Sequence, residues 1–388
     1  MEIITANTKI PIHTWIPFDQ LDQKTVQQVE NIANLPFAYH HVALMPDAHV
    51  GYGMPIGGIL ATNEYIVPNA VGVDIGCGMV AVRTSINLDE FLEKRDQIAH
   101  QIARSIPRGF HKHKTPQDHP FFNSLPDLKI IQDEIPTITR QIGTLGGGNH
   151  FIDILYDEDE FIWIMIHSGS RNIGKKIADL YHRKAVEFTL AKFEKYPHKE
   201  LSALPINSSD GQDYLTGMKF AQNFAYHNRQ RMLETVKLVF HEFLGKIEFM
   251  DEVNIHHNYA SEEEHFGRNV WVHRKGAISA SKGEWGIIPG SMATNSYITV
   301  GKGNPDSFCS ASHGAGRKKG RKQSKRDHNW DEVRNELERL DIELIAVKKA
   351  NAIEEFSQAY KNIDNVLKMQ SDLTEVKFKL FPSLVIIG

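Results

Sequence analysis

Strand-like and helix-like stretches of this chain come in blocks rather than in strict alternation, and this limits the fold more than any other feature. Residues 1–87 are rich in Gly, Pro and β-branched residues and read as short strands and loops. Residues 88–106 put Ile98, Ile102 and Ile106 on one helical face, with Pro107 as a stop. A buried strand is expected over 159–166, around "FIWIMI", and helices over about 174–196 and 213–245. Short strands return over 248–300, followed by helices around 329–341 and 352–370. Two strands, "EVKFKLF" and "SLVIIG", close the chain. Blocks of this kind predict an α+β fold with central sheets flanked by helices, rather than a doubly wound sheet. No repeat or linker divides the chain, so one domain over residues 1–388 is expected.

Composition excludes several classes. Hydrophobic residues make up 41% of the chain, enough for a sizeable core. Two cysteines in 388 residues argue against a secreted disulfide scaffold. The start, "MEIITANTKIPIH", lacks the basic-then-apolar pattern of a signal peptide. "FIWIMI" is far short of the roughly 20 residues that span a bilayer. The expectation is a soluble, cytoplasmic protein with no membrane partner. The net charge is −4, yet residues 317–326, "RKKGRKQSKR", hold seven basic residues and no acid. Taking those seven charges away leaves the remainder at −11. Such a run is commonly a solvated face; its place directly after "SHGAG" favours contact with phosphates.

The glycine-rich segments match no common nucleotide loop. "GYGMPIGG", from Gly51, has the wrong spacing for a dinucleotide fingerprint, and Pro55 disfavours the helix that must follow. "GTLGGGNHF" lacks the Lys-Ser/Thr pair of a Walker loop. These glycines serve tight turns or close backbone approach to a ligand. The histidines, 20 in all, say more. His150 follows "LGGGN", His167 follows "FIWIMI", and His257 follows "VNIH", each at the expected end of a strand. A lone histidine in such a place is more often structural. Several of them, together with Asp74 and Cys77 in "VGVDIGCGMV", suit a borderline metal such as Mn, Co, Zn or Fe rather than Mg or Ca. His313, in "FCSASHGAGR", sits between small residues and a basic run. It reads equally as a nucleophile toward phosphorus, a metal ligand or a turn residue.

"MPDAHVGYGMPIGG", "GVDIGCGM", "GTLGGGNHF", "HSGSRNIG", "HHNY", "RKGAISA", "IIPGSMATNSY" and "SHGAGR" together resemble, in order, the motifs of the RtcB family of RNA ligases. The resemblance runs from about Met45 to "AYKNID" near residue 364. It implies an enzyme that joins an RNA 3'-phosphate or 2',3'-cyclic phosphate to a 5'-hydroxyl, in tRNA splicing or RNA repair. It implies GTP and two Mn2+ as cofactors, a histidine–GMP intermediate, a monomer, and for some members an activating helper protein. By the same resemblance Asp74, Cys77 and His150 hold one metal, and Cys77 bridges to a second held by His167 and His257. His313 is the guanylylated residue. Asn149, His150, Phe151, Ile152, Asp153, His257, Asn258, Pro289, Gly290, Ser291, Met292, Ser296, Gly314, Ala315 and Gly316 match the guanylate-binding positions. Asp47 matches an active-site aspartate, and Arg171 and Arg317 match arginines near phosphates. The chain departs from the pattern in three places. Ile387 stands where a penultimate lysine is usual, Asp153 where glutamate is common, and Gly320 where serine is common. A metallo-phosphoesterase and a non-catalytic RNA-end-binding protein are the competing readings. No aromatic stripe for reading bases is visible in the sequence.

Overall fold

In a computed structural model that describes all of residues 1–388, two sheets carry the architecture. The first has six strands in the order Glu2–Ile4, Ile12–Thr14, Ala38–His49, Ile56–Thr62, Arg268–Lys275 and Asn258–His265. The second runs Phe249–His256, Gly78–Asn87, Phe161–Ser168, Phe151–Tyr156, Thr374–Ile387, Ser296–Gly301 and Trp285–Ile288, with Glu343–Ala346 laid parallel against the end of Thr374–Ile387. With helices packed on these sheets, the α+β expectation is met.

"FIWIMI" is apolar without interruption because its strand is covered on both faces. Ile162, Ile164 and Ile166 point into a core shared with Met232, Val236 and Phe240 of the long helix. Trp163 and Met165 point the other way, toward Ile287, Ile298 and Leu380. Truncating such a residue to alanine typically costs about 2–5 kcal/mol, because a cavity remains.

Two long helices, Arg171–Lys192 and Ser209–Leu244, pack against each other. The second begins at Ser208, whose hydroxyl accepts the Gly211 N–H at 3.0 Å, and ends at Gly245 with φ +80°. Inside it, Asn228 and Arg229 are both fully buried. Asn228 Oδ1 accepts from the Gly143 and Thr144 amides, and Arg229 donates to the Gly76 and Ser168 carbonyls. A helix therefore anchors three of the loops that carry functional residues.

Three expectations need correction. The helix expected over 88–106 is two helices, Leu88–Leu92 and Arg95–Ser105. Phe91 and Ile98 are buried, but Glu93 and Lys94 occupy the intervening turn, which has no apolar anchor. The helix expected over 352–370 divides into Lys349–Glu354 and Ile363–Met369, with a short 3-10 turn at Ser357–Ala359 between them. The two final strands are one, Thr374–Ile387. Its pairing with Phe151–Tyr156 shifts register between Pro382 and Leu384, and that irregularity accommodates a proline with no N–H to give.

Candidate active site

Strand ends of the second sheet meet at one place. Cys77 precedes Gly78–Asn87, His150 precedes Phe151–Tyr156, His167 lies near the end of Phe161–Ser168, and His257 follows Phe249–His256. Cys77 Sγ lies 3.5 Å from His150 Nε2 and 3.3 Å from His167 Nε2. Asp74 Oδ2 is 3.3 Å from His150 Nε2, and His167 Nε2 is 3.4 Å from His257 Nε2. His150 Nδ1 donates to the Leu145 carbonyl at 3.0 Å, and His167 Nδ1 donates to the Asn149 carbonyl at 2.9 Å. A carbonyl only accepts, so a neutral ring at either position would carry its lone pair on Nε2. Lone pairs, a thiol sulfur and a carboxylate thus face one another.

Burial, joined by neighbouring histidines, pushes His167 and His257 well below the ordinary histidine range, toward the neutral form. Burial also raises the Asp74 carboxyl, but the hydrogen bond and charge of His150, with Arg171, outweigh it and hold Asp74 low. The Cys77 thiol is raised, first by burial and then by the charge of Asp74. The neutral imidazoles of His167 and His257, the His150 ring, a carboxylate and a thiol ready to lose its proton to a cation form a metal-ligand set. Cys77, His150 and His167 have their ligand atoms within 4.8 Å of one another. The residues therefore fit a borderline divalent metal.

His313 closes this row, its ring centroid 4.8 Å from that of His257. The carboxylate of Asp47, fully buried on the strand Ala38–His49, accepts from His313 Nδ1 at 2.7 Å and from the His313 amide at 3.1 Å. Gly316, at φ +72°, lies so close to the Asp47 backbone that a Cβ there would collide with the Asp47 carbonyl. Without that approach the two segments could not meet.

Beside the row lies a cavity of about 430 Å³. Asp74, Cys77, His167, His257 and His313 line it, as do Asn149, Phe151, Asp153, Asn258, the run Pro289–Met292, the run Gly314–Gly316 and Arg317. Other expected site residues lie around it rather than in it. Ile152 alternates away from Phe151 and Asp153 and packs into the core with Ile164 and Ile386. Ser296 braces the Pro289–Met292 turn, its hydroxyl accepting the Gly290 amide at 3.2 Å. Arg171 donates to Thr144 Oγ1 and to the Leu145 and Gly109 carbonyls, and so ties the glycine turn to the neighbouring loop. Arg317 reaches the cavity with its guanidinium committed to Glu355, Tyr360 and the Glu354 and Lys319 carbonyls.

A model of the family described as "RtcB: tRNA-splicing ligase RtcB" matches residues 28–125 and 123–388. The RNA-splicing ligase RtcB of Escherichia coli K12 is 37% identical, over 98% of this chain and 97% of its own length. The tRNA-splicing ligases RtcB of Nanoarchaeum equitans and Thermococcus kodakarensis are each 32% identical, over 95% and 90% of this chain. This chain belongs to the RtcB family.

Beyond the residues expected from the RtcB motifs, the cavity also takes in His49, Lys275, Arg321, Glu355, Tyr360 and Val385, and it reaches Ile387, the position where a penultimate lysine is usual. His49 has a sequence signal, since it follows Asp47 by two on one strand and so shares its face. Lys275 stands in "RKGAISA". It is nearly fully buried, donates to the Tyr52 and Asn69 carbonyls, and is pushed down to about 7 by burial. Glu355 carries no local signal; only the turn between two helices brings it to Arg317. Asp153 Oδ1 is buried without a hydrogen-bond partner, and burial raises its carboxyl well above the ordinary range. Ile387 lies in an apolar patch with Met292, Val385 and the flank of Phe151. In this RtcB-family chain the C-terminal strand thus forms part of the cavity wall. No helix is long and apolar enough to cross a membrane.

Proposed function

We propose that this chain is an RNA ligase that joins RNA 3'-phosphate or 2',3'-cyclic phosphate ends to 5'-hydroxyl ends with GTP and two Mn2+. The observation that carries this reading is the Asp47–His313 pair beside the Asp74–Cys77–His150–His167–His257 row. With Nδ1 held by Asp47, the nucleophilic lone pair of His313 is on Nε2. His313 Nε2 attacks the α-phosphorus of GTP; a P–N bond forms, a P–O bond breaks, and pyrophosphate leaves. The buried Asp47 carboxylate offsets the positive charge that develops on the ring. His313 then gives up GMP to an oxygen of the RNA 3'-phosphate. Attack by the RNA 5'-hydroxyl forms the new phosphodiester, and GMP departs. Asp74, Cys77, His150, His167 and His257 would hold the Mn2+, which supplies positive charge for the phosphate oxygens. Asn149, Asn258, the Pro289–Met292 run and Gly314–Gly316 would hold the guanylate. Splicing of tRNA or repair of broken RNA would be the setting.

The test is incubation with radiolabelled GTP and Mn2+. The expected product is an acid-labile GMP adduct on the protein that His313→Ala abolishes. Opening of cyclic phosphates without an adduct would instead make the chain a metallo-phosphoesterase. RNA binding with neither reaction would make it an end-binding protein.

A further inference from the structure

Phe110 is the most exposed large apolar side chain of the molecule, at 107% relative exposure. An aromatic ring held wholly in water loses the gain of burial, so its neighbourhood matters. From residue 97 to residue 117 the chain has no acidic residue but carries Arg104, Arg108, Lys112 and Lys114. Lys112 and Lys114 are exposed and make no ion pair. This loop is nevertheless well anchored at both ends. The Gly109 amide donates to the Gly146 carbonyl at 2.7 Å, Leu145 N–H to the Pro107 carbonyl at 3.0 Å, and His113 N–H to the Arg140 carbonyl at 2.9 Å.

Those anchors lead to the active site. Arg171 donates to the Gly109 carbonyl and to the Leu145 carbonyl, and the latter also receives His150 Nδ1. Gly146, at φ +93°, leaves room for the Arg171 guanidinium where a Cβ would collide with it. On the other side of the same glycine turn, Arg321 lies against Gly148 and donates to Asn149 Oδ1 at 3.2 Å. Arg321 opens the helix Arg321–Asp327, on which Lys322 and Arg326 are exposed and unpaired. Two basic segments some 200 residues apart in the chain thus flank one turn at the mouth of the cavity.

We propose that Phe110 is a stacking platform for a nucleobase of the RNA strand entering the site. Lys112 and Lys114 on one side, and Lys322 and Arg326 on the other, follow the strand's phosphates. This rests on the RNA-ligase reading. An exposed aromatic ring on a braced loop, accompanied by free cations, is how proteins hold single strands without reading sequence, because every base has a π-face.

The experiment measures equilibrium binding of the full-length protein to a short fluorescein-labelled single-stranded RNA with a 3'-phosphate. A second RNA of the same length is abasic over its last nucleotides. Phe110→Ala should weaken binding of the normal RNA about tenfold, the scale of one lost base stack. Phe110→Trp should retain binding. On the abasic RNA, Phe110→Ala and wild type should bind alike. Lys112→Ala with Lys114→Ala should lower the slope of log K against log salt by about 0.7 per cation for both RNAs. With its side chain in solvent, Phe110→Ala should leave the thermal midpoint unchanged. Equal affinity of Phe110→Ala and wild type for the normal RNA overturns the proposal, as it would if this loop meets a protein instead. A wild type that binds no RNA overturns the ligase reading itself, a distinguishable failure.

Discussion

Asp47 Oδ2 accepts two hydrogen bonds from one residue, His313, through Nδ1 at 2.7 Å and the backbone amide at 3.1 Å. A single buried carboxylate oxygen thus fixes both the position of His313 and its tautomer. Asp47→Asn can keep both hydrogen bonds through its amide oxygen but loses the negative charge. The expected result is a folded protein whose GMP-adduct formation slows by about a hundredfold or more, the scale of general acid–base and charge effects at such dyads. Single-turnover kinetics of adduct formation would measure it, with His313→Ala as the zero point. A rate within twofold of wild type would remove Asp47 from the reaction.

Cys77 Sγ lies between His150 and His167, within 3.5 Å of each Nε2. Cys77→Ala should therefore disturb both proposed metal positions at once. Elemental analysis after gel filtration should find fewer than two Mn2+ per chain. His257→Ala should spare the position served by Asp74, Cys77 and His150. Two tightly held Mn2+ in the Cys77→Ala protein would end the bridging assignment.

In the final strand, Val385 pairs with Asp153 and Ile387 with Phe151, so Ile387 is a diagonal neighbour of the unpartnered Asp153. Ile387→Lys would set an ammonium within reach of that carboxylate and of any nucleotide in the cavity. A charged hydrogen bond contributes about 1.5–3 kcal/mol. GTP should bind roughly ten- to a hundredfold more tightly to the variant, as read by calorimetry. Identical isotherms, with equal discrimination against ATP, would mean that another residue already serves this role.

His273 is fully buried with Nδ1 on the Leu60 carbonyl, while Nε2 accepts the Val67 amide at 3.0 Å. Burial pushes it down to about 4, and pushes His41, stacked between His13 and Phe308, down to about 3. Both groups hold fewer protons folded than unfolded at mildly acid pH. Their contribution is therefore intact above pH 6.5 and is lost as the pH falls from 6.5 toward 4 and 3. Each should cost about 1.4 kcal/mol per pH unit in that window. Urea midpoints at pH 7 and pH 5 should show a lower value at pH 5, and His273→Gln should reduce the difference. Midpoints that do not move would contradict the burial argument.

Local chemistry was legible in the chain itself. Glycine turns, strand-end histidines and a lone thiol beside a carboxylate marked Asp74, Cys77, His150, His167 and His257, because strand periodicity and ligand type are properties of short segments. The block pattern indicated α+β, and the continuous apolar run marked a strand covered on both faces. What tertiary structure alone decided lies between segments. Asp47 and His313 are 266 positions apart, and only the backbone approach at Gly316 joins them. The basic run looked free in sequence, yet Arg317 is taken up by Glu355 and Tyr360 from a turn that no local signal marked. Arg171, which by resemblance matches an arginine near phosphates, also braces three loop groups, Thr144, Leu145 and Gly109, and nothing in its own segment marked those partners. Phe110 could not be told from a core residue until its loop was placed. Sequence fixes which groups a segment can offer; which of them remain free for a ligand depends on the partners that distant segments bring, since a buried donor or charge must be satisfied by whatever the fold sets beside it.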